Sequence, residues 1–324
     1  MRRLIRTLRR RAGGKLAEGF FTGASRLGQL HPSARPEKHG VRVSRDVAYA
    51  PATELAEHRL DVYRPIDQDG PAPVVLYIHG GGFRILSKDT HWLMGLAFAS
   101  RGYVVFNIGY RLAPEHPFPA AVEDVSQAFL WMVEHAAEYG ADLDRLVIAG
   151  ESAGANLAAS LTLSTVYERD EPFARAVYDT GVVPRATIPA CGVFQVSDVH
   201  RYERRKPGFP RFLMDQLRTM QDGYLGPRPE DHGEILDFAD VVSWLERGVA
   251  PSRPLPAFFL PVGTKDPLLD DTRRLDRALR ELGGTSVARY YPGGVHAFHA
   301  FVFLESARQC WRDQFAFLDQ HVPA

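Results

Sequence analysis

The chain has 324 residues, 45% of them hydrophobic and 24% charged, with 39 acidic side chains balanced by 39 basic ones. That length and composition suit one large α/β domain or two small ones, with a substantial core, and the zero net charge excludes a global pull toward nucleic acid or anionic substrates. Two cysteines, Cys191 and Cys310, exclude a disulfide framework, and the absence of a Cys/His cluster argues against a metal, so buried free thiols in a reducing cytoplasm are expected.

The first fifteen residues, MRRLIRTLRRRAGGK, carry seven basic side chains and no acid. No continuous apolar region follows, so the segment does not read as a secretory signal. Leu4, Ile5, Leu8 and Leu16 fall on one helical face, which would allow weak contact with an anionic membrane surface. Residues 16–32 are expected instead to fold over the mouth of a site, because Phe20, Phe21 and Leu27 need burial. Residues 1–44 are therefore read as an N-terminal cap segment. No apolar stretch reaches the length of a membrane span.

From residue 45 strands and helices alternate. Strands are expected at 58–65, 74–82 (running into a glycine turn), 103–112, 145–150, 186–194, 257–264 and 288–293. Helical periodicity covers 87–101, 119–138, 153–167, 271–283 and 304–321. This alternation, with near-continuous apolar strands, predicts an α/β fold: a mostly parallel central sheet covered by helices on both faces. Residues 198–255 break the rhythm. They are rich in Pro, Arg and Asp and lack a core strand, so they read as an insertion over a core made of 45–197 and 256–324.

In such sheets ligands bind at the carboxyl ends of the strands, and four loops there carry unusual residues. "VIAGESAGANLAAS" (147–160) places G-x-S-x-G between an apolar strand and a helix. Its alternatives are an ordinary strand–turn–helix or a strained nucleophile elbow bearing Ser152, whose crowding needs the small Gly150, Ala153 and Gly154. "HGGGF" (79–83) follows a buried strand, and its glycines suit backbone N–H groups that approach an oxyanion closely. The expected donors are the amides of Gly81, Gly82 and Ala153, with His79 as a hydrogen-bonded strut. The acid and then the base should follow in chain order. Asp266 comes first after its strand, and Pro267 makes it equally an N-cap; Asp270 and Asp271 read as first-turn helix acids. His296 sits on a glycine-rich loop, whereas His299 begins apolar helix packing.

Taken together, "HGGGF", "YRLAPEHPFPAAVED", "GESAGANLA", "DPLLDD" and "PGGVHAF" resemble the hormone-sensitive-lipase-like carboxylesterases of the α/β-hydrolase superfamily, in the same order over residues 58 to 320. The resemblance implies a triad of Ser152, Asp266 and His296, and an oxyanion hole at Gly81, Gly82 and Ala153. It also implies a helical cap built from the N-terminal segment and the insertion 198–255. Gly109 stands where the family usually has an acid before "YRLAPE", and the family's Ser-Pro pair upstream of the acid strand is missing. The implied activity is hydrolysis of small, short-acyl esters through an acyl-enzyme, without a cofactor. The implied partner is a small-molecule ester, and a homodimer is left open. An amidase or peptidase, an acyltransferase, and a non-catalytic ligand-binding module like related plant hormone receptors are the rival readings.

Overall fold

The apolar runs become strands for one reason: each is covered on both sides, so both alternating faces must be apolar. In β3 (Ala72–Ile78), Val74, Leu76 and Ile78 enter the larger core cluster, while Val75 and Tyr77 enter a second cluster on the opposite face. β4 (Val104–Ile108) and β5 (Ala141–Glu151) divide their side chains in the same way. The computed structural model describes residues 19, 22–23, 25–50 and 52–323. Within them β1 (Val41–Ala48), β2 (Arg59–Pro65), β6 (Ala186–Ala190), β7 (Ala257–Gly263) and β8 (Ser286–Tyr291) complete a sheet of order β1-β2-β4-β3-β5-β6-β7-β8. β1 with β2 and β2 with β4 are antiparallel, and every other pairing is parallel.

Helices cover both faces. α1 (Trp92–Ala99) packs into the smaller cluster, while α2 (Ala120–His135), α3 (Ala153–Val166) and α4 (Pro172–Asp179) pack into the larger one. The insertion contributes α5 (Arg201–Arg205), α6 (Arg211–Tyr224), a 3-10 stretch at Pro229–Phe238 and α7 (Val241–Leu245), and no strand. α8 (Leu269–Glu281) rejoins the larger cluster, and α9 (Glu305–His321) closes the other face.

Three local differences from the sequence expectation have physical causes. β1 is an edge strand on which only Val41 is buried, so it lacks the apolar run that marks the others; its start draws residues 41–44 into the sheet. β6 stops at Ala190 because Cys191 turns to φ 42, which takes the chain out of the ladder even though its N–H still donates to Pro261 O of β7. α4, opened by Pro172 at its first turn, fills the gap between α3 and β6.

Near the N-terminus residues 25–30 are helical and lie on the loop before α1, where Ser25 and Gln29 both donate to Asp89 O. Leu27, expected to need burial, is 70% exposed. The arginines at positions 2–11, with Phe20 and Phe21, lie outside the described residues. Among the described residues no helix is long and apolar enough to cross a membrane.

Candidate active site

β5 ends at Glu151 and α3 begins at Ala153, which leaves Ser152 alone on the turn at φ 55, ψ −116. A non-glycine residue is strained there, and the surroundings hold it in place. Its N–H donates to Ala190 O at 2.9 Å, pinning the turn to the end of β6. A Cβ at Gly150 would lie 2.4 Å from Gly154 O, and one at Gly154 would lie 2.2 Å from Ile78 O. No side chain fits at either position, so the flanking glycines are required by contact. An ordinary strand–turn–helix would need neither.

His296 reaches this serine from the loop after β8, with Nε2 2.9 Å from Ser152 Oγ. Its Nδ1 lies 2.9 Å from Asp266 Oδ2. The second Asp266 oxygen, Oδ1, accepts the Leu268 N–H at 2.8 Å, so the capping and orienting roles coexist. A carboxylate can only accept here, so Nδ1 carries the proton and Nε2 is left free to take one from the hydroxyl. Burial disfavours the imidazolium, but the Asp266 carboxylate outweighs it and holds His296 well above the ordinary imidazole value.

The glycine loop faces the same space. Gly81 and Gly82 have φ of 119 and 60, and a Cβ at Gly81 would meet Ile85 O at 1.9 Å. Among the described residues the amides of Gly81, Gly82 and Ala153 donate to no backbone carbonyl. His79 stacks on Tyr110 and donates from Nδ1 to Gly80 O at 2.7 Å. Burial, with His91 nearby, pushes its pKa down to about 3, so it is neutral and acts as a strut.

Two features escaped sequence reasoning. Glu151 is buried with its oxygens 3.0 Å from His91 Nε2 and 3.0 Å from His299 Nε2. Burial would raise this carboxyl, but the two histidines hold it well below the usual range. As the residue before Ser152 it links the end of β5 to the loop bearing His91 and to the loop bearing His299. His299, expected in apolar packing, therefore serves this ion cluster. Cys191 is the other: its thiol and the facing atoms of Asp266 and His296 all lie within 4.8 Å of one another. Burial raises its pKa and keeps it protonated there. A second grouping of acids, Asp46, Asp61 and Asp89, is filled by Lys88 Nζ at 2.8 Å from each.

Asp270 pairs at the surface with Arg205 and Arg273. Asp271 differs from the first-turn acid expected of it. It is fully buried, accepts from Phe194 N–H at 2.8 Å and pairs with Arg201 of α5 at 2.5 Å, which ties the insertion to the core. Asp271→Asn leaves the Arg201 charge buried without its counterion, and the expected loss is about 3–5 kcal/mol of stability. Asp270→Asn should stay within about 0.5 kcal/mol. Urea unfolding midpoints at unchanged m-value check this; equal midpoints for the two variants would show that the pair holds nothing together.

Above Ser152 and His296 opens a cavity of about 460 Å³. α6 roofs it with Leu213, Gln216, Leu217 and Met220; Val193, Leu268 and Val295 add apolar wall, and Arg84 and Lys265 line it too. None of the described residues before Gly81 lines it.

A family profile described as alpha/beta hydrolase fold matches residues 75–300. Carboxylesterase NlhH of Mycobacterium tuberculosis is 40% identical over 147 residues, 44% of this chain and 44% of that protein. Ethyl acetate hydrolase of Pseudomonas putida is 30% identical over 260 residues, 74% of this chain and 72% of that protein. A solved structure titled bacterial heroin esterase matches with TM-score 0.78 over 97% of this chain and 93% of that one; at 23% identity the likeness concerns the fold alone. The match thus spans less than half the length of NlhH and nearly three quarters of the Pseudomonas protein.

Proposed function

The chain belongs to the α/β-hydrolase family, and from that premise we propose that it is a serine carboxylesterase acting on small, short-acyl esters through an acyl-enzyme. The observation that carries the reading is the hydrogen-bonded chain from Asp266 through His296 to Ser152, opening into the cavity under α6. Ser152 attacks the ester carbonyl while His296 Nε2 takes its proton, and Asp266 stabilises the imidazolium that forms. The amides of Gly81, Gly82 and Ala153 hold the tetrahedral oxyanion. His296 then protonates the leaving alkoxide, and water repeats the sequence to release the acid.

Short acyl groups fit a cavity near the small end of the usual range of roughly 300–1,000 Å³. The activities for which the two relatives are named, carboxylesterase and ethyl acetate hydrolase, support the same substrate class. In this reading residues 198–255 act as the cap, and α6 sets the acyl length.

The test is hydrolysis of p-nitrophenyl esters from acetyl to palmitoyl across a pH series, beside matched amides. The expected optimum is acetyl to butyryl, with amides far slower. The base works only as neutral imidazole, and Asp266 stabilises the protonated form. kcat/KM should therefore rise with pH along a limb displaced above the ordinary His value of about 6.5. A palmitoyl optimum would overturn the short-acyl reading, and a limb below that value would contradict the electrostatics of the His296–Asp266 pair.

A further inference from the structure

Resting on the esterase reading above, we propose that the ester carries an anionic group, a carboxylate in its acyl or its alcohol half, received by Arg84 and Lys265. Both cations line the cavity that holds Ser152 and His296, and among the described residues no glutamate or aspartate lines it with them. Asp266 stands behind His296 with both oxygens engaged, by His296 and by the Leu268 amide. Among the described residues the cavity therefore presents two positive charges, the Gln216 amide and otherwise mostly apolar walls, with no side chain of opposite sign.

Arg84 is the more telling of the two. It follows the glycine loop directly, and its N–H donates to Gly81 O at 3.1 Å, so its position is set by the turn that presents the oxyanion donors. The side chain is half-buried beneath α6, where a Cβ at Gly223 would meet Nε at 2.9 Å. That Nε is closed off from solvent and has no hydrogen-bond partner among the described residues. Glu115 and Asp222, both exposed to solvent, attract the guanidinium through space. A guanidinium fork matches the planar oxygens of a carboxylate, so the part of the group that lines the cavity is suited to receive one.

Lys265 approaches from the opposite loop, immediately before Asp266, with its backbone N–H fixed to Gly294 O at 2.9 Å. Its exposed ammonium adds attraction rather than geometry. Leu213, Leu217 and Met220 line the same cavity and take the short hydrocarbon stretch. A purely neutral ester would use those walls and engage neither cation. A half-ester of a small dicarboxylic acid, or an acetylated hydroxy acid, uses all of them.

Two matched pairs, followed by acid release in a pH-stat, decide the matter and separate the two halves. Monomethyl glutarate against methyl pentanoate probes the acyl half, and 3-acetoxypropanoate against propyl acetate probes the alcohol half. In at least one pair the anionic ester should have a kcat/KM about tenfold above its neutral match. Arg84→Gln should reduce that ratio about fivefold or more, through KM, with a smaller effect of Lys265→Gln and partial retention in Arg84→Lys. Raising NaCl should shrink the ratio further. Preference for the neutral ester in both pairs, or a ratio unmoved by both glutamine variants, overturns the proposal and leaves the esterase reading standing. If no ester turns over, including p-nitrophenyl acetate, the esterase reading fails. Calorimetric binding of glutarate to wild type and to Arg84→Gln then decides the charge question alone: equal binding, or none, overturns it.

Discussion

Ser152→Ala is expected to lower kcat by about 10⁵–10⁶ while the protein remains folded, because nucleophile, base and orienting acid act as a unit. The substitution removes one oxygen atom. It leaves the Ser152 backbone bond to Ala190 O and the glycine contacts at Gly150 and Gly154 in place, so the elbow keeps its shape. What disappears is the atom 2.9 Å from His296 Nε2 that would bond to the carbonyl carbon. Steady-state hydrolysis of p-nitrophenyl acetate with an unchanged circular dichroism spectrum is the measurement. Organophosphate labelling, followed by intact mass, should vanish in the same variant. Retention of more than a few per cent of activity would remove Ser152 from the mechanism.

Asp266→Asn should reduce the rate by roughly 10³–10⁴. The direction follows from the hydrogen bonds of the carboxylate. Leu268 N–H already donates to one Asp266 oxygen, so an asparagine there keeps its carbonyl on Leu268 and turns its NH₂ toward His296 Nδ1. Nδ1 must then accept, the ring proton moves to Nε2, and the imidazole can no longer take a proton from Ser152. Loss of the negative charge should also draw the pH limb downward. The informative contrast is with Asp271→Asn, whose predicted loss is in stability. If Asp271→Asn abolished turnover in fully folded protein while Asp266→Asn did not, the assignment of the acid would be wrong.

Much of this was legible in the sequence where local chemistry admits few solutions. G-x-S-x-G after an apolar run reads as an elbow because contact forbids a Cβ at Gly150 and Gly154, and strands buried on both faces betray themselves by composition. β1 left no such trace, since an edge strand exposed to solvent needs charges as much as apolar side chains. Gly109, which departs from the family pattern, has a steric reason visible only in space: a Cβ there would lie 2.7 Å from Glu57 O. Asp271 shares its helix turn with Asp270, and the sequence ranks them alike. Only the arrival of Arg201 from the insertion separates a core ion pair from a surface one. The Glu151 cluster was illegible for the same reason, since His91 and His299 come from distant segments and meet only when β5 is flanked by both loops.

The sheet order has a consequence for how the protein ages under stress. Ser152 hangs from β5, which is held between β3 and β6, whereas His296 hangs from β8, the outermost strand, paired only with β7. Border strands open at lower free energy than central ones and exchange their amide hydrogens sooner. Warming or mild denaturant therefore loosens the proton acceptor while the serine elbow is still intact, and inactivation runs ahead of global melting. The operational lifetime of the protein is governed by the β7–β8 seam and by α9 packed beneath it. A thermostabilised variant would begin with substitutions there, leaving the larger core as it is.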